Sequence, residues 1–501
     1  MTDKNDSNLS RRDLLRIGGL ALLATGCSNY SNAQITPLPT TIRPIRESGM
    51  AHVIITADNP SLVRDRAHCT RCGQCHNYCY RSMTAHGFRS SEGRMSCIYC
   101  GQCSIQCKPR SITERSEIAE FQAALADPDK IVITTVAPAV RVALGEMFQM
   151  PPGSFVEDKT VAALKQLGCD YILDTTFGAD LTIMEEASEL LHHLERDSGS
   201  KYPLFTSCCP AWVRFAELFT PQLVPHISTT KSPILMQGAS IKTYFAQQNG
   251  LDPKRIFNVA IAPCTAKKAE IKRPGSNTLT DQPGFEGLSE VDLVLTVREL
   301  GRLLQETNVD FPNLPNSSFD SLMGRGSGGA MAFGRSGGVM ESALRTAYYL
   351  VNKENAPLQK DVEMRGEVRT VNWVNPMPFQ LIAGVRQDTV DFGGRTIRVA
   401  VVETPGSLRG LLDAIEHDGE RFDFVEVMAC QGGCLGGGGQ PYPEQLGDIL
   451  ELIYDRRDAV QLGVDGSAVR LSHENAEVAL AYREFFGEPL GEKAKMLLHC
   501  R

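Results

Sequence analysis

The 501-residue chain has no long apolar run, no surplus of positive charge and no workable dinucleotide fingerprint. Its early apolar stretch, Ile17 to Thr25, falls well short of the about 20 residues that a bilayer-spanning helix needs. A permanent membrane span is therefore not expected. The net charge of −8 argues against nucleic acid as the main partner. Gly324-Arg-Gly-Ser-Gly-Gly329 spells G-x-G-x-x-G, but no expected strand precedes it and no acid lies about 20 residues on. It reads as a flexible or close-packed glycine loop. Brevity is missing too. The chain is too long for one compact core, so two or more domains are expected.

Cysteine, by contrast, is abundant, with sixteen residues. A disulfide scaffold would explain that number in a small exported chain, but not in one of this size. The spacing says more. Cys69-x2-Cys72-x2-Cys75-x3-Cys79 and Cys97-x2-Cys100-x2-Cys103-x3-Cys107 form a doubled two-cluster ferredoxin run. In that pattern the fourth cysteine of each run ligates the other cluster. Cys69, Cys72, Cys75 and Cys107 are then expected to hold one 4Fe–4S cluster. Cys97, Cys100, Cys103 and Cys79 hold the second. Cys72-Gly-Gln-Cys75-His76 also spells a haem attachment site. Both sulfurs are already committed to the cluster, so haem is not expected.

Residues 1–33 read as an export signal. Ser10-Arg-Arg-Asp-Leu-Leu-Arg16 resembles a twin-arginine motif, a route that carries folded proteins. Clusters are assembled in the cytoplasm, so such a protein must cross folded. Leu23-Ala-Thr-Gly-Cys27 resembles a lipoprotein cleavage site, which would leave a lipid anchor at Cys27 as the sole membrane attachment. Ser31-Asn-Ala33 offers a rival cleavage site. The expected localisation is periplasmic. Residues 34–60 are rich in Pro, Thr and Arg and read as a tether. Residues 61–115 carry the eight ferredoxin cysteines, expected as a small α+β domain. Residues 116–445 form the catalytic part and 446–501 a C-terminal segment wrapped on it.

Beyond residue 115, apolar runs alternate with amphipathic helical patterns. Strands are expected at Lys130–Val136, Tyr171–Thr175, Tyr202–Thr206, Phe257–Ile261, Val291–Leu295, Ile397–Val402 and Phe422–Met428, with a helix over Asp180–Arg196. Such alternation predicts an α/β fold with a mostly parallel sheet in more than one lobe. Cys208 and Cys209 follow one expected strand, Cys264 another and Cys430 a third. Ligands of open α/β sheets sit beyond the carboxyl ends of strands. Three motifs can thus converge on one site, where Gly432, Gly433 and Gly436-Gly-Gly-Gly439 let backbone approach a bulky inorganic group. Four thiolates could also hold zinc, but zinc would leave the upstream relay unexplained.

Thr206-Ser-Cys-Cys-Pro-Ala-Trp212, Pro263-Cys-Thr-Ala-Lys-Lys-Ala-Glu270 and the run from Phe424 to Pro441 resemble the three active-site signatures of the iron-only (FeFe) hydrogenases, in the family's order. The resemblance extends from the ferredoxin region to the end of the chain. It implies two α/β lobes around an H-cluster, a 4Fe–4S cube joined through cysteine sulfur to a two-iron unit carrying CO, cyanide and a bridging dithiolate. It also implies a set of roles. Cys209, Cys264, Cys430 and Cys434 would ligate the cube, with Cys434 the bridge. Lys267 and Ser232 would each meet a cyanide, and Met428 would pack on the two-iron unit. Cys208 would pass protons, with Glu186, Ser228 and Glu189 continuing the path. A thiol pKa of about 8.5 would poise Cys208 near neutrality.

Two positions depart from the family: Ala262 replaces the usual methionine before Pro263, and Ile234 the frequent glutamine after Pro233. The resemblance implies reversible conversion of H2 to protons and electrons. A low-turnover hydrogen sensor is a rival reading, opposed by Cys208; a cytosolic iron–sulfur assembly factor is another, opposed by the export signal. Between Arg64 and Arg115, nine basic residues stand against three acids. That balance either compensates the anionic clusters or forms a docking face for an acidic redox partner, a periplasmic cytochrome c or ferredoxin-like protein.

Overall fold

The computed structural model describes residues 52–93, 96–196, 200–356, 384–391 and 395–500. The export signal, Cys27, most of the tether and Arg94 lie outside the described residues. All the described residues belong to one compact unit.

Ten strands make three sheets among the described residues. β1 (Leu62–Arg64) and β2 (Ile112–Glu114) pair antiparallel, one just before the first cysteine run and the other just after the second. One four-stranded sheet is fully parallel, in the order β4 (Tyr171–Asp174), β3 (Ile131–Val136), β6 (Ile256–Ala262), β7 (Leu293–Thr296). The second has the order β5 (Leu204–Phe205), β10 (Phe424–Met428), β9 (Thr396–Glu403), β8 (Val385–Asp391), with only β8 antiparallel. The expected α/β fold with mostly parallel sheets is present.

The strands form where β-branched residues accumulate, as in Ile-Val-Ile-Thr-Thr-Val136, and they are buried because helices cover parallel sheets. The helix Val297–Glu306 illustrates the cover. Thr296 caps it reciprocally with Glu299, and Val297, Leu300, Leu303 and Leu304 are fully buried against the first sheet. Each such side chain contributes about 1.5–3 kcal/mol on leaving water.

Most strand bounds move by a residue or two; two elements change for a clear local reason, and one strand is new. The helix read as starting at Asp180 begins at Thr175, because Asp174 Oδ1 accepts from Thr176 N at 2.9 Å and turns the chain at once. The strand expected over 202–206 shrinks to Leu204–Phe205, since Pro203 has no N–H for a ladder. β8 was not anticipated. Its sequence, Val-Arg-Gln-Asp-Thr-Val-Asp, carries charge at intervals, as an edge strand does.

The parallel geometry collects the carboxyl ends of strands. Cys264 follows β6 by two residues and Cys430 follows β10 by two. Cys209 is the N-cap of the helix Pro210–Phe219, and Ser232 the N-cap of Pro233–Ser240. Both helices open with proline, whose missing N–H costs nothing at that position.

Candidate active site

Cys209, Cys264, Cys430 and Cys434 come together from the ends of both large sheets. Cys434 feels the charge of Cys264 and Cys209, and Cys430 that of all three others. None forms a disulfide. Burial pushes the thiols up, Cys264 to about 11 and Cys434 to about 12, and lifts Cys430 well above the ordinary thiol range. Thiols in such a place become thiolates only when a metal cation replaces the proton. Four thiols from three strand ends are a soft donor set, which fits a thiolate-bound iron cluster. The surrounding glycines fit it too. Gly437 has Pro263 O only 2.3 Å from where a Cβ would stand, and Gly433, at φ +72°, has Ser336 N at 2.7 Å.

Beside this cage, Cys208 is buried with Ala179, Ile183, Phe333 and Met428. Burial, with the nearby carboxyls of Glu186 and Glu426, pushes its thiol well above the ordinary range. This corrects the expectation of a thiol poised near neutrality: the apolar pocket holds Cys208 protonated. Glu186 is fully buried on the helix Thr175–Arg196. Burial first, and then Glu189, push its carboxyl up to about 8. Ser207 N donates to Glu186 Oε1 at 3.3 Å, while Oε2 has no partner. Ser228 Oγ donates to Glu189 Oε2 and lies within reach of Glu186. Thr229, exposed, donates to Glu189 through both its N–H and its hydroxyl. The sequence-predicted residues thus make a chain from Cys208 through Glu186, Ser228 and Glu189 to the surface at Thr229.

Lys267 and Ser232 share an acceptor that sequence reasoning did not single out. Lys267 Nζ donates to Glu270 Oε2 at 2.8 Å and to Cys208 O at 3.2 Å, and Ser232 Oγ donates to the same Glu270 Oε2 at 3.0 Å. A glutamate three residues after a lysine on one helical turn was the only available signal. Met428 ends β10 and packs with Cys208 and Cys209. Ala262 and Ile234 lie in one cluster with Leu235, Ala260, Val291 and Val294. The two departures from the family pattern are therefore spatial neighbours. Glu426 was also missed. It is buried on β10 and accepts from Gly337 N at 2.6 Å and Met340 N at 2.8 Å.

Cys69, Cys72, Cys75 and Cys107 line one cavity, together with His52, Arg64 and Arg71. Cys79 lies near Cys75 and Cys97, and Cys103 near Cys75, Cys79, Cys97 and Cys107, so the two runs are neighbours in space. Gly324 and Gly326 pack against Asp320 and Thr176, so the glycine run is a close-packed loop and not a nucleotide cradle. The described helices include none long and apolar enough to cross a membrane.

Comparison with known proteins agrees with this geometry. Residues 130–438 match the family described as the iron only hydrogenase large subunit, C-terminal domain, and residues 451–501 match the iron hydrogenase small subunit. The NADP-reducing hydrogenase subunit HndD of Solidesulfovibrio fructosivorans is 39% identical over 88% of this chain and 74% of its own length. The periplasmic [Fe] hydrogenase large subunit of Nitratidesulfovibrio vulgaris is 41% identical over 65% of this chain and 72% of its own. Cytosolic iron–sulfur assembly factors match at lower identity. Among solved structures, the apo form of a variant [FeFe]-hydrogenase from Chlamydomonas reinhardtii superposes with a TM-score of 0.64 at 34% identity, covering 77% of this chain and 98% of its own. With its large-subunit and small-subunit regions in one polypeptide, the chain belongs to the iron-only hydrogenase family.

Proposed function

We propose that this chain interconverts H2 with two protons and two electrons at an H-cluster held by Cys209, Cys264, Cys430 and Cys434. The observation that carries the reading is the convergence of these four free thiols, from both sheets, beside the buried Cys208. When bound, the cluster supplies an open iron for hydrogen and a redox partner for its electrons; the protein supplies placement and paths. Cys208 holds a proton next to the cage; Glu186, resting as the neutral acid, releases its own proton toward Ser228 and Glu189 and takes the next from Cys208, so each carrier ends as it began. Lys267 and Ser232, both donating to Glu270, are the residues that would meet the cyanide ligands. The low-turnover sensor reading is disfavoured, because Cys208, a thiol that binds no iron in this reading, stands near the carboxyl of Glu186.

Two 4Fe–4S clusters, on Cys69, Cys72, Cys75 and Cys107 and on Cys79, Cys97, Cys100 and Cys103, would relay electrons. Cys72 is exposed, with Arg66 and Arg71 exposed nearby, so electrons are exchanged at that end with an acidic carrier such as a cytochrome c or ferredoxin-like protein. The twin-arginine motif supports a periplasmic setting for the reaction. Infrared spectroscopy of the matured protein tests the central claim. CO and cyanide stretching bands are expected; a protein carrying all its iron but no such bands would refute the H-cluster.

A further inference from the structure

One side chain joins the relay to the catalytic cage. Gln102 lies between Cys100 and Cys103, at the start of the short helix Gln102–Ile105. Its Nε2 donates to Cys430 Sγ at 3.1 Å, across 328 positions of sequence, and to Gly436 O at 2.7 Å. The residue is 4% exposed. A carboxamide nitrogen carries two N–H groups, and here each has its own acceptor.

The surroundings hold that amide in place. Gly101, at φ +72°, approaches Thr265 so closely that a Cβ would stand 2.4 Å from its hydroxyl. Gly438 would place a Cβ 2.1 Å from Cys100 O. Thr265 Oγ1 donates to Tyr99 O at 2.7 Å. Arg298 Nη2 donates to Gly438 O at 2.7 Å and to Ser104 Oγ at 3.3 Å. The second cysteine run is thereby clamped to the glycine run that follows Cys430, with no slack for Gln102 to turn away.

We infer that Gln102 is a positioning residue that sets the redox poise of the cube ligated through Cys430; this rests on the H-cluster reading above. Reduction adds an electron to the cluster and negative charge to its sulfurs. A donor on a ligand sulfur stabilises that added charge and raises the reduction potential. A neutral amide does so without adding a charge of its own. The same residue belongs to the ligand loop of the second relay cluster, so the site that receives electrons is tuned from the site that delivers them.

Two variants test this. Gln102→Met keeps the length and removes both N–H groups. Gln102→Glu keeps the shape and puts an acceptor in place of the donor. Each matured protein is titrated electrochemically, with the cube followed by electron paramagnetic resonance and by its effect on the infrared bands. In both variants the cube is expected to show a roughly tenfold lower reduced-to-oxidised ratio at fixed potential, equivalent to a downward shift of about 59 mV for a one-electron couple. The cluster on Cys69, Cys72, Cys75 and Cys107 should keep its potential. An unmoved cube potential in both variants overturns the inference. So does cluster loss in which the remaining population titrates as the unsubstituted protein, because Gln102 would then be packing alone. Missing CO and cyanide bands in the unsubstituted protein would overturn the H-cluster reading instead, a separate outcome.

Discussion

Cys208 and Cys209 are adjacent in sequence but face different tasks, and substitution separates them. On the proposed mechanism, Cys208→Ala removes a proton carrier and no ligand. It is expected to keep the infrared bands and lose about 10²–10⁴ of hydrogen turnover. Cys209→Ala should lose cube iron. Near-normal evolution by Cys208→Ala would end the relay assignment. Glu186 gives a pH prediction. Its carboxyl is held up to about 8 by burial and by Glu189. The folded protein therefore keeps this proton well above the pH at which the unfolded chain releases it. Its contribution to stability is fully present below about 4.5 and is lost as pH rises through about 8. Glu186→Gln should flatten the melting temperature across that window while turnover falls. An unchanged pH slope would show that Glu186 does not hold the proton. These roles were legible because the cysteine spacing and the paired glutamates are local patterns. Glu270, Glu426 and Gln102 were not, because each acts through a partner brought near only by folding.

The element that locks the relay loops to the catalytic region is the helix Val297–Glu306. Its Arg298, 1% exposed, donates to Glu114 on β2 and to Gly438 O and Gln440 O. Although burial works against the charge, Arg298 and Arg302 hold the Glu114 carboxyl down at about 2. The stability this contributes is present above about 4.5 and is lost as pH falls through about 2. Arg298→Met should cost about 3 kcal/mol, the low end for a broken buried pair, because Arg302 still reaches Glu114 at 2.6 Å. Denaturant unfolding measures it; a loss below about 1 kcal/mol would show that the clamp is redundant. The central strands of both large sheets could be read from their β-branched runs. β1 and β2 could not, at three residues each, because so short a stretch carries no period.

At the scale of the whole molecule, a chain of net charge −8 presents exposed Arg66, Arg71 and Arg81 around its outermost cysteines, while Glu114, one of the few local acids, is buried against Arg298 and Arg302. Electron transfer to an acidic carrier should slow as ionic strength rises, because screening shortens the reach of that charge. Arg66→Glu and Arg71→Glu together should slow it further at low salt, as read by stopped-flow spectroscopy. Rates indifferent to both would leave the arginines as compensation for the clusters alone. The C-terminal stretch adds a different consequence. Thr230 and His499 form a β-bridge, Lys231 Nζ donates to Leu497 O at 2.7 Å, and His499 Nε2 and Tyr482 both contact Glu185, one residue from Glu186. The part of the molecule that resembles a small subunit is thus stitched beside the proton route. Because it is covalently continuous, its docking is intramolecular and its effective concentration is fixed by the chain. Dilution cannot strip it, and the two parts are always present one to one.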